Sequence, residues 1–149
     1  MECREATLGD LPDIIRLLTD DELGLTREQY ELPVPQYYVD AFHEITNQAG
    51  NSIIVAAQDE NVIGCLQLTF IPGLTFQGML RAQIEGVRVD SSYRNRGIGE
   101  LLIRHVIYLA KERGCRVVQL TTNKLRTDAQ RFYTRLGFKS THVGMKIEI

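Results

Sequence analysis

The sequence predicts one α/β domain spanning residues 1–149, a mixed central sheet of about six to seven strands flanked by about four helices. Three observations lead there. Strand-type and helix-type apolar patterns alternate along the whole chain. No linker, repeat or low-complexity stretch divides it. Its 149 residues are enough for one substantial core.

The elements follow in order. Residues 2–7 read as a short strand. Gly9 to Leu18 is helical, with Leu11, Ile14, Ile15 and Leu18 at helical spacing and Pro12 in the first turn. Asp20 to Pro35 is polar and carries two prolines, so it reads as a loop. Gln36 to Gln48 reads as a second helix. Ser52–Ala57 and Val62–Ile71 are strands joined by the turn Asp59-Glu60-Asn61, and Pro72-Gly73 ends the second. Met79 to Val89 is a third run. Gly99 to Arg113 is a helix with Leu101, Leu102, Val106, Leu109 and Ala110 on its stripe and Gly114 as C-terminal cap. Arg116–Thr122 has the near-continuous apolar centre of a buried strand. The next helix buries Ala129, Phe132, Tyr133 and Leu136 and ends at Gly137. Phe138 to Ile149 alternates and reads as one or two closing strands.

Composition excludes several functions. At 44% hydrophobic, 24% charged and net charge −2, the chain lacks the basic balance of a nucleic-acid-binding domain. No apolar run is long enough for a membrane span, and Met1-Glu2-Cys3-Arg4-Glu5 has no signal-peptide core, so a cytoplasmic location without membrane or nucleic-acid partners is expected. Cys3, Cys65 and Cys115 read as reduced thiols, the latter two as small core residues. Three scattered histidines give no metal pattern, so no metal is expected.

The most informative stretch runs from Val87 to Gly99. A strand ends in a polar turn, then Arg94-Asn95-Arg96-Gly97-Ile98-Gly99 leads into a helix. A helix N-terminus offers unpaired N–H groups and a partial positive charge, and glycines allow close approach, which suits a phosphate or pyrophosphate. Glu100 and Leu101 follow Gly99 where a P-loop needs Lys and Ser/Thr. Leu102 stands where a dinucleotide fingerprint needs its third glycine.

Arg94-x-x-Gly97-x-Gly99 resembles the acyl-CoA pyrophosphate loop of the GNAT N-acetyltransferase superfamily. Asn123 after a strand, Ala129 on the next helix, and Phe132-Tyr133 followed by Leu136-Gly137-Phe138 occur in that family's order. The resembling motifs cover residues 85 to 139. The resemblance implies acetyl-CoA as cosubstrate and acetyl transfer to a primary amine by direct attack in a ternary complex. It implies that backbone N–H groups of residues 95–99 hold the phosphates and that Arg94 and Arg96 steer them. Backbone groups near Val87, Arg88 and Val89 pair with the pantetheine arm, with Asn123, Ala129 and Phe132 beside it. Asn123 can equally cap a strand end.

Two residues carry the implied chemistry. Tyr133 is the general acid for the departing thiolate by resemblance; by its helical position alone it can be a packing residue. Glu85 lies on an apolar strand, where burial without a partner is costly and raises a carboxyl toward neutrality, as suits a base. It can equally be a strand carboxylate paired with Arg81 or Arg88. Gly86 beside it allows a bulge that splays the strand. The acceptor is expected to be a small-molecule amine. Asp20, Asp21 and Glu22 can attract a cationic amine, while Arg81, Lys124 and Arg126 can hold an anionic one. A non-catalytic acetyl-CoA-binding sensor or partner module, and a protein or peptide N-acetyltransferase, are the alternatives. The strand expected at the C-terminal edge also points to a homodimer; His142, Lys146 and Glu148 can equally keep it solvated as a monomer's edge.

Overall fold

The computed structural model describes all of residues 1–149. Five strands form one sheet in sequential order: β1 (Glu2–Glu5), β2 (Asn51–Gln58), β3 (Asn61–Ile71), β4 (Arg81–Val89) and β5 (Val117–Leu120). The first four are antiparallel neighbours, and β5 joins β4 in parallel. The helices are α1 (Leu11–Thr19), α2 (Glu22–Arg27), α3 (Gln36–Asn47), a single turn α4 (Thr75–Gly78), α5 (Ile98–Arg113) and α6 (Thr127–Arg135).

The strand period of two distributes side chains to two cores. Ile53 and Val55 face α1 and α3, where they meet Leu11, Ile14, Ile15, Leu17 and Phe42. Ile54, Ala56, Leu66, Leu68, Ala82 and Ile84 face the opposite layer and pack on Ile98, Leu102, Ile103, Val106 and Ala110 of α5. Gly64 is the close-contact point of that layer. A Cβ there would lie 3.1 Å from both Ile98 Cγ2 and Leu102 Cδ1, so α5 can lie directly on β3.

Local chemistry sets the helix ends. Asp10 precedes α1, takes the Thr7 N–H at 2.7 Å, and receives both Arg4 Nη atoms at 2.7 and 3.0 Å, which ties β1 to α1. Gly114, at φ +87°, returns its N–H to the last carbonyls of α5.

Four expectations need correction. The sheet has five strands rather than six or seven, because residues 138–149 form no strand; 139–149 run exposed past the body. The polar stretch after Asp20 contains α2, begun by Asp21, whose carboxylate accepts the Gly24 N–H. The strand expected over Arg116–Thr122 covers only Val117–Leu120, and it is a half-exposed sheet edge rather than a buried centre. None of α6 is fully buried; Ala129, Phe132, Tyr133 and Leu136 are half-buried.

Candidate active site

The site forms where the sheet splits. β4 and β5 pair from Arg81↔Val117 to Ile84↔Leu120 and no further. β4 continues to Val89, paired with β3 on its other side. Opposite Leu66, β4 carries one residue more than β3, and Gly86 sits there at φ +63°. This is a glycine-centred bulge, which bends and twists the strand. Beyond Ile84, Glu85 to Val89 therefore have no strand on the β5 side.

The turn after β4 is fastened to α1. Arg16 Nη1 donates to Asp90 Oδ2 at 2.7 Å, while Asp90 Oδ1 accepts the Ser92 N–H at 2.8 Å. Asp20 Oδ2 accepts the Ser91 N–H at 2.9 Å, and the Asp20 carbonyl accepts Arg94 Nη2 at 2.8 Å. Asp20 thus spends one carboxylate oxygen and its carbonyl on fastening the loop. Asn95 (φ +61°) and Gly97 (φ +82°) then turn the chain into α5.

No N–H of residues 95–99 donates to a group within the protein. Together they form a row of unpaired donors at the start of a 16-residue helix. The space beside Gly97 is open, since a Cβ there would meet nothing within 4 Å. At Gly99 a Cβ would fall 3.0 Å from Phe132 Cζ, so the glycine lets α6 close against the start of α5. Ile98 is buried and anchors the loop in the core, and the Arg96 guanidinium lies over the Tyr93 ring at 5.3 Å. Such a row of donors can hold a phosphate, and Val87–Val89 have no strand on the β5 side.

Tyr133 packs edge-on against Phe132 and Phe138, with centroids 5.1 and 5.7 Å away. Its hydroxyl has no hydrogen-bond partner in the protein. Burial pushes its pKa above the ordinary tyrosine value, partly opposed by the charges of Arg88 and Arg126. Glu85 stands opposite Gln67 in the β3–β4 ladder, so it shares the α1/α3 face with that residue. It is exposed and in no ion pair, neither with Arg81 nor with Arg88. The costly burial expected from its apolar strand does not occur: on the α1/α3 face the Glu85 side chain stays exposed.

Asn123 lies beyond β5 and is exposed. Its Oδ1 accepts the Leu125 N–H at 2.9 Å, a turn-capping bond. Ala129 and Phe132 lie on the half-buried side of α6, with Phe132 against Gly99. Burial pushes the Cys65 thiol up to about 12, which leaves it inert as a nucleophile.

One cluster beside Tyr133 joins distant parts of the sequence. Arg126, preceding α6, is ion-paired with Asp21, and Arg88 Nε lies 3.6 Å from the same carboxylate. Arg88 Nη1 also donates to the Val87 carbonyl at 2.8 Å. Two guanidiniums thus share one carboxylate, and Arg88 Nε and Arg126 Nη2 are buried without hydrogen-bond partners. The Asp21–Arg126 separation of 105 residues hides this cluster from any local motif. On the Glu85 face an apolar cavity of about 130 Å³ lies between α1, α3 and the sheet and reaches Gln67 and Gly86.

A three-layer α/β domain with an anion cradle at a split sheet is the class that fold and site define. The sequence matches the Acetyltransferase (GNAT) family over residues 19–138, and the chain belongs to that family. Family members use acetyl-CoA as cosubstrate. A crystal structure of a transcriptional regulator from Bacillus halodurans C-125 is 52% identical and superposes with a TM-score of 0.96 over 99% of both chains. Human N-acetyltransferase 8B is 30% identical over 95 residues, 64% of this chain and 41% of that protein. Glucosamine 6-phosphate N-acetyltransferase of Trypanosoma brucei brucei is 31% identical over 88 residues, 59% of this chain and 58% of that protein. The chain spans at most about two fifths of the length of the first curated relatives it matches.

Proposed function

We propose that this chain is an acetyl-CoA-dependent N-acetyltransferase acting on a primary amine of a small molecule. One observation carries the reading: β4 loses its β5 neighbour after Ile84, where the Gly86 bulge begins, and the same strand runs on through one turn into the free N–H row of residues 95–99. When bound, acetyl-CoA supplies the thioester carbonyl that is attacked. Backbone N–H groups of residues 95–99 hold the phosphates, and Arg94 and Arg96 add attraction at the rim. A backbone N–H on the open edge of β4, near Val87 or Val89, polarises the carbonyl. Glu85 takes the proton of the acceptor ammonium, directly or through water. The neutral amine attacks the carbonyl carbon, the carbon–sulfur bond breaks as Tyr133 Oη gives the departing sulfur its proton, and the surplus proton on the new amide nitrogen passes, directly or through water, to the Tyr133 phenolate and restores the phenol. No covalent enzyme intermediate is needed.

The paired guanidiniums favour an acceptor that carries a carboxylate or phosphate as well as its amine, since two positive groups share the single Asp21 carboxylate and hold an excess positive charge. A phosphorylated amino sugar, the acceptor named for the trypanosome relative, has this chemistry. A free-thiol release assay with acetyl-CoA tests the proposal against amino acids, phosphorylated amino sugars, polyamines and peptides. Turnover with anionic small amines, weakened by Arg126→Ala, is expected. Activity on peptides alone would replace the small-molecule acceptor with a protein.

The description of the Bacillus structure as a transcriptional regulator favours one second reading, an acetyl-CoA-binding sensor module. Tight acetyl-CoA binding with no thiol release across the whole panel would select it.

A further inference from the structure

On the α1/α3 side of the sheet, three unlike groups meet at the Gly86 bulge. Residues directly opposite on paired strands share a face, so the register groups Glu85 with Gln67 and Arg88 with Cys65. Gln67 and Cys65 are two residues apart on β3, hence on one face and about 7 Å from each other at a rise of about 3.4 Å per residue. Both line the apolar cavity between α1, α3 and the sheet, and Gly86 lines it between Glu85 and Arg88. A carboxylate and a guanidinium therefore flank the point where the cavity reaches the split edge of β4.

Each group has its own capacity. Glu85 is exposed and in no ion pair, so its charge is open to a cation. Arg88 and Arg126 share the one carboxylate of Asp21, which leaves net positive charge for an anion. The cavity measures about 130 Å³, a little below the roughly 150 Å³ of an apolar cavity that takes up benzene. At about 30 Å³ per water-sized group, it has room for a chain of about four heavy atoms. Its walls include Ile14, Leu18 and Phe42, and Gln67 supplies their only amide. The Tyr38 hydroxyl already accepts the Gln29 N–H at 2.9 Å. Sugar hydroxyls among such walls would lose their bonds to water without replacement, which favours a hydrocarbon chain.

We propose that the acceptor is a free α-amino acid with an apolar side chain of that size, such as leucine or methionine. Its amine lies at Glu85, its carboxylate at Arg88 and Arg126, and its side chain in the cavity. An α-amino acid carries a cation, an anion and an apolar group on one carbon, the same set that meets at Gly86. The assignment rests on the N-acetyltransferase reading. Glu85 takes one proton of the ammonium, the nitrogen bonds to the acetyl carbon as the carbon–sulfur bond breaks, and the second proton restores the Tyr133 phenol that protonated the sulfur. The products are the N-acetyl amino acid and the CoA thiol.

Thiol release, and calorimetry in the presence of CoA, test this on glycine, L-alanine, L-norvaline, L-leucine and L-methionine. Leucinamide, isopentylamine, a phosphorylated amino sugar and a peptide beginning with leucine serve as comparisons. The expected kcat/KM rises about three- to fourfold per added methylene. Leucinamide and isopentylamine, which lack the carboxylate, should fall about tenfold or more below leucine. Ala41→Leu narrows the cavity from an exposed position of α3 and should flatten the rise with the melting temperature held. Ile45→Ala widens the cavity and should move the optimum toward L-phenylalanine. Leucine binding without thiol release would uphold the pocket and sink the N-acetyltransferase reading. A flat series, a preference for leucinamide or the peptide over free leucine, or leucine neither bound nor acetylated would overturn the amino-acid assignment. Turnover of the amino sugar or a polyamine in its place would overturn it too, while leaving the N-acetyltransferase reading intact.

Discussion

Replacing Tyr133 with phenylalanine separates a chemical role from a packing role because the hydroxyl is structurally idle. It bonds to no protein group, while the ring makes edge contacts with Phe132 and Phe138 that phenylalanine preserves. With no hydrogen bond lost, stability should change by no more than about 0.5 kcal/mol, about 1–2 °C in Tm for a chain of this size. The chemical cost should be much larger. Loss of a positioned general acid lowers turnover by about 10²- to 10⁴-fold, or about 2.7–5.5 kcal/mol of barrier. Burial holds the Tyr133 phenol above its usual value, so it stays protonated through the neutral range. The corresponding stability is complete below about pH 10 and declines only as the pH rises through the folded-state value. The assay is thiol release at saturating acetyl-CoA, with kcat and KM separated and a thermal melt on the same sample. Unchanged kcat with a Tm drop of several degrees would refute the chemical role and leave Tyr133 as a packing residue.

Two further expectations concern proton traffic and acid stability. Glu85→Gln should leave the Tm unchanged, since Glu85 is exposed and unpaired, but should depress kcat/KM and alter the acidic limb of its pH profile; superimposable profiles would assign that limb to the acceptor amine. Three carboxylates lie below their ordinary range: Asp10 through its bonds to Arg4, and Asp21 and Asp90 where burial pushes upward but Arg126 and Arg16 outweigh it. Groups depressed in the folded state contribute stability above about pH 4 and lose it as the pH falls through their folded values, so urea midpoints should stay level from about pH 5 to 8 and fall below about pH 4. A midpoint that falls instead between pH 8 and 6 would contradict this assignment.

Much of the fold was legible because its signals are local. Leu11, Ile14, Ile15 and Leu18 mark α1 by spacing alone, and Gly114 announces the end of α5. Gly86 and the Arg94–Gly99 loop were readable for the same reason: glycine at a bulge and at a helix entry answers a backbone requirement within a few residues. α2 was missed because its six residues are fixed by the Asp21 cap within a polar, proline-flanked stretch. The exposure of Glu85 was invisible because it depends on how far α1 and α3 cover that face of the sheet, a tertiary fact. The convergence of Asp21, Arg88 and Arg126 is likewise non-local. The C-terminal segment shows a different limit: Val143, Met145, Ile147 and Ile149 alternate as in a half-buried strand, yet residues 138–149 form no strand and 139–149 are exposed.

The central claim is that the Gly86 bulge and the loop of residues 95–99 together hold acetyl-CoA. An amide NMR titration of the ¹⁵N-labelled protein with CoA tests it most directly, repeated on Gly97→Glu, which places a carboxylate beside the open cradle. The account predicts shifts concentrated at Asn95 to Gly99 and Glu85 to Val89 in the wild type. It predicts their loss in the variant, whose remaining spectrum should stay folded. Shifts confined to other surfaces, or unchanged CoA binding by a folded Gly97→Glu, would contradict it.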